Sequence, residues 1–396
     1  PYGGTDPDDN SGVMRYVRVW NGGSSIAPDN EINGITLAGV GRGTTVEFCE
    51  VAMNLDDGFE MFGGTVDLKH CVVVAVGDDA FDTDNGYQGR GQFLLVVRAD
   101  DSDKGHEMDN ATGGDLDSQP RSHPHFANVT VISSPSHGED ALRLREGTGG
   151  DFRNYIIHGA NDGVRNDENG SEVVTQDWAT AEAAGHPDYL YISGSIIMNG
   201  LADVPWDDFD EETDGDWTGT YVSESAGLSM TVDADGLPLS VSVMPPVGGA
   251  AYQNVDTVLD DDFFTQTDFK GAFGSDNWLE GWSVLSELDI LGSDDNNNPN
   301  IVADKITLLG NYPNPFNPST EIMFELGQKY QSVHLSVFNL IGRKVYERTL
   351  QDISAGFHRI TWNGSDINGS LVPSGLYLYR VSTETKSVIG KMTLLK

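Results

Sequence analysis

The chain has 396 residues, with 62 Asp and Glu against 23 Lys and Arg, a formal charge of −39 at pH 7. That balance excludes nucleic acid as a partner, because a phosphate backbone is held by a basic surface. Glycine, at 47 residues or about 12%, exceeds the roughly 7% average, and hydrophobic residues, at 38%, fall below the usual ~45–50%, so turn-rich β architecture fits better than a helical bundle.

The opening residues, Pro1 to Gly4, lead directly into the turn-like DPDDNSG stretch and carry no signal-peptide pattern. They read like the middle of a domain, so upstream residues are expected to have been processed away or to be missing from this chain. The clearest apolar runs, such as Phe93 to Val97, are strand-sized and far short of the ~18 residues of a membrane span. No transmembrane segment is expected.

A repeat runs through the first 170 residues. Asp57, Gly58, Phe59 and Glu60 return 22 positions later as Asp79, Ala80, Phe81 and Asp82. The same offset maps Val46 onto Leu68, Glu47 onto Lys69, Cys49 onto Cys71 and Val51 onto Val73. Looser copies follow at His106–Glu107, Leu142–Arg143 and Val164–Arg165. Between them lie short strand-like segments (VEFCEV, VDLKHCVVV, FLLVV, ANVTVI, FRNYII) punctuated by Gly, Asp and Asn turns. A period near 22 with two or three short strands per turn predicts a right-handed parallel β-helix over residues 1–202, in which each coil buries its apolar face only by stacking on the next. An antiparallel sandwich gives no reason for position-by-position recurrence. The stretch 100–121 is expected to leave the coil as a loop.

If the coils stack in this register, Asp57 lies over Asp79 and Glu60 over Asp82, one strand spacing apart. Like charges that close repel by roughly 1 kcal/mol in water and more at lower dielectric. The cluster Asp56, Asp57, Glu60, Asp78, Asp79, Asp82 and Asp84 is therefore a candidate metal site. Its oxygen-only donors suit a hard cation such as Ca²⁺, while a solvated acidic edge is the plainer alternative. Cys49 and Cys71, also 22 apart, should sit on neighbouring coils within the ~4.4–6.8 Å Cα range of a disulfide, which makes them a candidate bridge.

Other constellations carry less. His123 and His125 alternate in HPHF and read as surface loop histidines, since no third ligand has a helpful spacing. Ser136, His137 and Gly138, followed by Arg143 and Arg145, are faintly like a pectin-hydrolase pattern, yet His137 lies only six residues before Arg143, far from one coil. The GTGG at 147–150 reads as a turn. Paired carboxylates such as Asp78, Asp79 and Asp82 would suit glycoside hydrolysis in type, but fold analogy does not establish catalysis, and an enzyme is the weaker reading.

From Glu172 to Ala184 the Ala and Glu spacing predicts a short helix. Residues 203–300 lose the periodicity and turn acidic (PWDDFDEETDGDW, LDDDFF, GSDDNNNPN), which reads as a coil-capping extension ending in a linker at 293–300. The tryptophans Trp206, Trp217, Trp278 and Trp282 are expected in core or cap.

Residues 301–396 change character. Residues 303–396 hold 10 of the basic and 7 of the acidic residues, which leaves 13 and 55, a formal −42, in residues 1–302. Alternating segments (EIMFEL, VHLSVFNL, GRKVYERTL, GFHRITWNG, GLYLYRVS, KSVIGKMTLLK) with Asn-Gly turns predict a seven-stranded immunoglobulin-like β-sandwich. NYPNPFNPST, VFNLIGRKV, AGFHRITWNGSDINGSLVPSGLYLYRV and the basic KMTLLK end together resemble the C-terminal sorting domain of proteins exported by the type IX secretion system of Bacteroidetes-like bacteria. The resemblance implies the type IX machinery as a partner, then release or surface attachment. In the first region GGTDPDDNSGVMRYVRV, PDNEINGITLAGVGRGT, DDGFEMFGGTV, DDAFDTDNGYQG and FKGAFGSDNWLEGW are similar to large secreted proteins with the same tail, which implies an architecture and an address but no activity.

The expected protein is thus all-β, secreted or cell-surface, and structural or adhesive, a homo-oligomer or polymer in an extracellular filament or sheath. The alternative is a carbohydrate-active or glycan-binding protein with an extracellular polysaccharide as partner.

Overall fold

The structure is a computed structural model. It describes all residues except 1–2, 24–31, 112–115, 117, 167–189, 193–195, 202–205, 208–220, 234–235, 289, 292–305, 327–328, 340–342, 355, 368, 384–385 and 396. The chain divides into two compact units, Pro1–Asp294 and Asp295–Lys396.

The first unit is a parallel β-helix. Each coil contributes a strand to three faces: face one (Val13–Arg15, Thr45–Glu47, Asp67–Lys69 and onward), face two (Arg18–Trp20, Glu50–Ala52, Val72–Val74 and onward) and face three (Ile35–Ala38, Phe59–Phe62, Phe81–Asp84, His106–Met108, Leu142–Leu144, Val164–Asn166, Trp206–Asp207). All pairings between coils are parallel, and the 22-residue offset appears directly: Val46 pairs with Leu68, Val51 with Val73, Glu60 with Asp82 and Leu142 with Val164. Faces one and two join into a single 13-stranded sheet, because Arg90–Arg98 and His125–Ser133 run through the corner unbroken.

That corner departs from the sequence reading, in which VEFCEV, VDLKHCVVV and FRNYII are single strands. Each is broken by one residue in the left-handed region: Phe48 (φ 52°), His70 (φ 54°) and Asn154 (φ 55°). The corresponding corner residues of other coils, Tyr16, Phe93 and Asn128, have φ of 55°, 59° and 54°. A left-handed non-glycine residue costs about 1–2 kcal/mol, offset here by stacking. Tyr16 on Phe48, Phe48 on His70 and His70 on Phe93 have ring centroids 5.0, 4.5 and 4.9 Å apart.

The interior is filled by inward residues of all three faces, among them Cys49, Val51, Phe59, Met61, Cys71, Val73, Phe81, Leu94, Phe126 and Leu142. Stacked phenylalanines Phe59 and Phe81 lie 5.3 Å apart. Face two is buried on its outer side as well. Val72, Val74, Leu95, Val97, Ile132 and Ile156 pack against Leu228, Met230, Val241, Phe273, Leu279 and Leu285. Burial on both sides is why VVV and LLVV are continuous apolar runs instead of alternations.

The extension expected over 203–300 supplies two further coil strands, Trp206–Asp207 and Tyr221–Val222, paired with Val164–Arg165 and Ile196–Ile197. Its described residues between 226 and 285 lie along face two and, around Val258 to Phe264, over the outer side of face one, where Val258 and Phe264 meet Ala127 and Asp261 meets Arg90. Polar side chains at the corner hold this cover: Gln92 and Thr265 exchange two hydrogen bonds of 2.7 and 2.8 Å, and Asn154 and Asp256 two of 2.9 Å. Trp278 and Trp282 pack edge-on to the Phe48 ring, so both belong to the cover. The helix expected at 172–184, the linker at 293–300 and the side chains of Trp206 and Trp217 lie outside the described residues.

The second unit is an antiparallel β-sandwich of seven strands. One sheet runs Ile306–Tyr312, Thr320–Leu326, Gly356–Trp362, and the other Lys344–Ile353, Tyr330–Asn339, Gly375–Ser382, Ser387–Leu394. Its core is centred on Trp362, Phe324, Tyr379 and Leu335, with the Trp362 indole N–H donating to the Ser365 carbonyl at 2.9 Å.

Candidate metal centre

The outer side of face three carries the chemistry. Its strand register places Glu60, Asp82, Glu107, Arg143 and Arg165 in one column along the helix axis. Three residues earlier in each coil, the hydrogen bonds Gly58 N–H to Asp79 O, Ala80 N–H to Lys104 O and Ala141 N–H to Asp162 O fix a second column, Asp57, Asp79, Lys104, Asp140 and Asp162. A third, one residue earlier again, is Asp56, Asp78, Asp103, Glu139 and Asn161, tied by Asp103 N–H to Asp78 O at 3.2 Å and Asn161 N–H to Glu139 O at 3.3 Å.

Small residues bring these columns together. A Cβ on Gly58 would meet the Ala80 carbonyl oxygen at 2.5 Å, and one on Gly105 the Ala141 carbonyl oxygen at 2.5 Å. Side chains in the second column also reach the next coil: Asp57 Oδ1 accepts from the Asp79 N–H at 3.0 Å, and Asp79 Oδ1 from the Lys104 N–H at 2.7 Å.

Six of the seven expected ligands converge. Carboxylate oxygens lie within 4.8 Å of one another in three overlapping groups: Asp56, Asp57 and Asp78; Asp57, Glu60 and Asp82; Asp78, Asp79 and Asp103. Asp57 and Asp79 are 6% and 4% exposed. Asp82 Oδ1 is fully enclosed and, among the described residues, accepts no hydrogen bond, which leaves a buried carboxylate oxygen among other carboxylates. Asp84 joins none of the three groups; its oxygens accept from the Asn85 backbone and side-chain N–H at 2.5 and 2.8 Å.

Electrostatics follow from this crowding. Burial, and then the neighbouring carboxylates, raise Asp57, Asp79 and Asp82 well above the ordinary range. Burial, followed by Asp56, Asp84 and Asp78, pushes Glu60 up to about 7. All-oxygen donors in this arrangement fit a hard divalent ion.

The later coils are neutralised from within. Lys104, 8% exposed, places its ammonium against Asp103 and 3.5 Å from Glu107 Oε1. Arg145 grips Glu107 at 2.7 Å and both oxygens of Asp109 at 2.6 and 2.9 Å. Arg143 lies 3.2 Å from Asp140. Beneath them Arg98, 1% exposed, donates to the carbonyls of Asp103, Asp140 and Glu139 at 2.8, 2.5 and 3.3 Å. Asp103, Lys104 and Arg98 escape the sequence reading, and Glu107 enters it as a copy of the repeat but not as a candidate ligand, because insertions stretch the offset from Asp82 to Glu107 to 25 and from Glu107 to Arg143 to 36. Strand His106–Met108 itself stands inside the stretch read as a loop.

Elsewhere the histidines are a correction. His123 and His125 are not surface loop residues: His123 is 6% exposed, His125 opens the strand His125–Ser133, and the ring nitrogens Nδ1 and Nε2 meet at 3.0 Å. Burial pulls His125 down to about 4. Neither joins a three-ligand group among the described residues. His137 Nδ1 accepts from the Glu139 N–H at 3.0 Å. Cys49 and Cys71 stack in register, with the Val72 N–H donating to the Cys49 carbonyl at 2.9 Å. Both are buried free thiols, raised by that burial.

Comparison with known proteins gives two family matches, a pectate-lyase-like β-helix domain over residues 1–186 and a FlgD Ig-like domain over residues 313–387. No curated protein matches the chain. Among solved structures, dimeric latent PorU from Porphyromonas gingivalis is 20% identical over 24% of this chain and 10% of its own, at a TM-score of 0.21. FlgD from P. aeruginosa is 23% identical over 19% of this chain and 58% of its own, at 0.17. PorZ, a surface component of the type IX secretion system of P. gingivalis, is 21% identical over 24% of this chain and 12% of its own, at 0.18. The chain thus spans less than two thirds of each.

Proposed function

We propose that this chain is a secreted, surface-associated structural protein whose β-helix holds divalent cations, Ca²⁺ foremost, on face three. The observation that carries the reading is the contrast between coils. The two coils bearing Asp56, Asp57, Glu60 and Asp78, Asp79, Asp82 present only carboxylates in the three columns, whereas the next three each contain a basic side chain, Lys104, Arg143 or Arg165. A column of like charges repeated at about 4.8 Å needs counter-charge, and a soluble divalent ion supplies it where the columns themselves hold carboxylates only. Extracellular modules bind Ca²⁺ at roughly 10⁻⁴–10⁻³ M, matched to an extracellular address. The sorting-domain motifs of residues 303–396 support export by the type IX route, and the open strand edges that end a β-helix can pair with another copy, which supports assembly into a filament or sheath.

Isothermal titration of the full chain with CaCl₂ tests the ion; saturable binding lost in Asp57→Asn and Asp82→Asn supports it, and no heat of binding at millimolar Ca²⁺ overturns it. Surface fractionation and electron microscopy of native material test the address and the assembly. A second reading, binding of an extracellular polysaccharide, draws on the pectate-lyase-like match of residues 1–186 and the half-buried Arg143 and Arg165 in line with Glu60 and Asp82. A glycan array and a reducing-sugar release assay test it.

A further inference from the structure

We infer that Lys104 is a tethered counter-cation that closes the ion-binding row, its ammonium taking the place of one further divalent ion; this rests on the reading of face three as a cation site. The second column carries an aspartate in every coil from Asp57 to Asp162 except one, where Lys104 stands between Asp79 and Asp140. Its backbone behaves as the column requires, donating to Asp79 Oδ1 at 2.7 Å as the Asp79 N–H does to Asp57 Oδ1.

The side chain then folds back among the carboxylates instead of leaving for solvent, and its exposure is 9%. Its ammonium touches Asp103 and lies 3.5 Å from Glu107 Oε1. Asp78, Asp79 and Asp103 bring carboxylate oxygens within 4.8 Å of one another at this same point. This group has the donor chemistry of the group formed by Asp57, Glu60 and Asp82, and differs in having a positive charge built in. An ammonium delivers one charge and three N–H donors; it cannot share a group of this size with a divalent ion, so it sets how far the row of bound ions extends.

The test is Ca²⁺ stoichiometry of the full chain by equilibrium dialysis, comparing wild type with Lys104→Met and Lys104→Arg, with near-UV circular dichroism as the check on folding. The inference expects Lys104→Met to bind one more Ca²⁺ per chain than wild type, and Lys104→Arg, which keeps the charge, to bind the wild-type number. Should Lys104→Met fail to fold in chelator, recovery of its circular dichroism on adding Ca²⁺, but not on adding equal ionic strength of NaCl, supports the inference; failure to recover overturns it. Equal, non-zero stoichiometry in wild type and Lys104→Met overturns it while leaving the cation reading intact, and binding by neither overturns both. Binding by Lys104→Met but not by wild type upholds the role of Lys104 and overturns the cation reading of the native chain.

Discussion

The two units solve the same problem, covering a β core, with opposite electrostatic consequences. In the β-helix every residue of a coil sits over its equivalent in the next, so whatever the repeat places at one position recurs at about 4.8 Å along the axis. An aspartate becomes a column of aspartates, as from Asp57 to Asp79. In the sandwich, neighbours on a sheet face come from unrelated segments running in opposite directions, and unlike charges meet, as in Lys329 with Asp352 at 3.4 Å and Arg359 with Glu321 at 3.5 Å. Repetition economises on core design and concentrates charge; the non-repeating module avoids that concentration.

The sharpest way to break the comparison is to damage one core. Trp362, 0% exposed at the centre of the sandwich, should cost about 3–5 kcal/mol when replaced by Ala. Calorimetry of Trp362→Ala should show the sandwich transition lowered or lost with the β-helix transition retained. Loss of both together would mean that the units fold as one.

Chelation is the next largest effect. An ion bound only by the folded state adds RT ln(1 + [L]/Kd), about 1–2 kcal/mol per site for a site of millimolar affinity or somewhat tighter at millimolar ion. EDTA at fixed ionic strength should lower the β-helix transition by several degrees and leave the sandwich transition in place. If neither transition moves, the carboxylate columns are a solvated surface.

In chelator, pH should act on the same coils. Glu60 at about 7, and Asp57, Asp79 and Asp82 raised well above their usual range, hold more protons folded than unfolded between their unfolded values near ~4 and their folded ones. The sign follows: their folded state is favoured where they are protonated, and stability is lost as pH rises through the folded values. The metal-free β-helix transition should therefore climb as pH falls from about 7.5 to about 5.5, and a fall over that range would show that these carboxylates are ionised at no cost.

The smallest effect concerns the thiols. Cys49 and Cys71 are stacked inside the core without a bond between them. Chain purified without reductant and then unfolded should react with two equivalents of a thiol reagent. A count of zero would show that the stacked pair is bridged.

The repeat made much of this legible in advance. A constant offset of 22 was enough to stack Asp57 on Asp79, Glu60 on Asp82 and Cys49 on Cys71, because two coils of equal length have one possible register. Where insertions changed the coil length, the columns continued but the offset did not, and Asp103 and Lys104 went unnoticed, while Glu107 was legible as a repeat copy but not as a member of the carboxylate cluster. The left-handed corners were hidden for another reason: Phe48 and His70 are ordinary strand residues by propensity, and only ring stacking between coils favours their conformation.

What the amino-acid sequence determined by itself was the class of each unit, the register of the early coils and the segregation of charge, since all three depend on residue type and spacing. The tertiary structure alone decided which side of each coil faces solvent, that described residues between 226 and 285 cover face two and part of face one, and that Lys104 turns into the carboxylates. Those outcomes depend on contacts between residues 22 to 234 positions apart, most of them at separations the repeat does not fix, where only the closing of the coil brings the groups together.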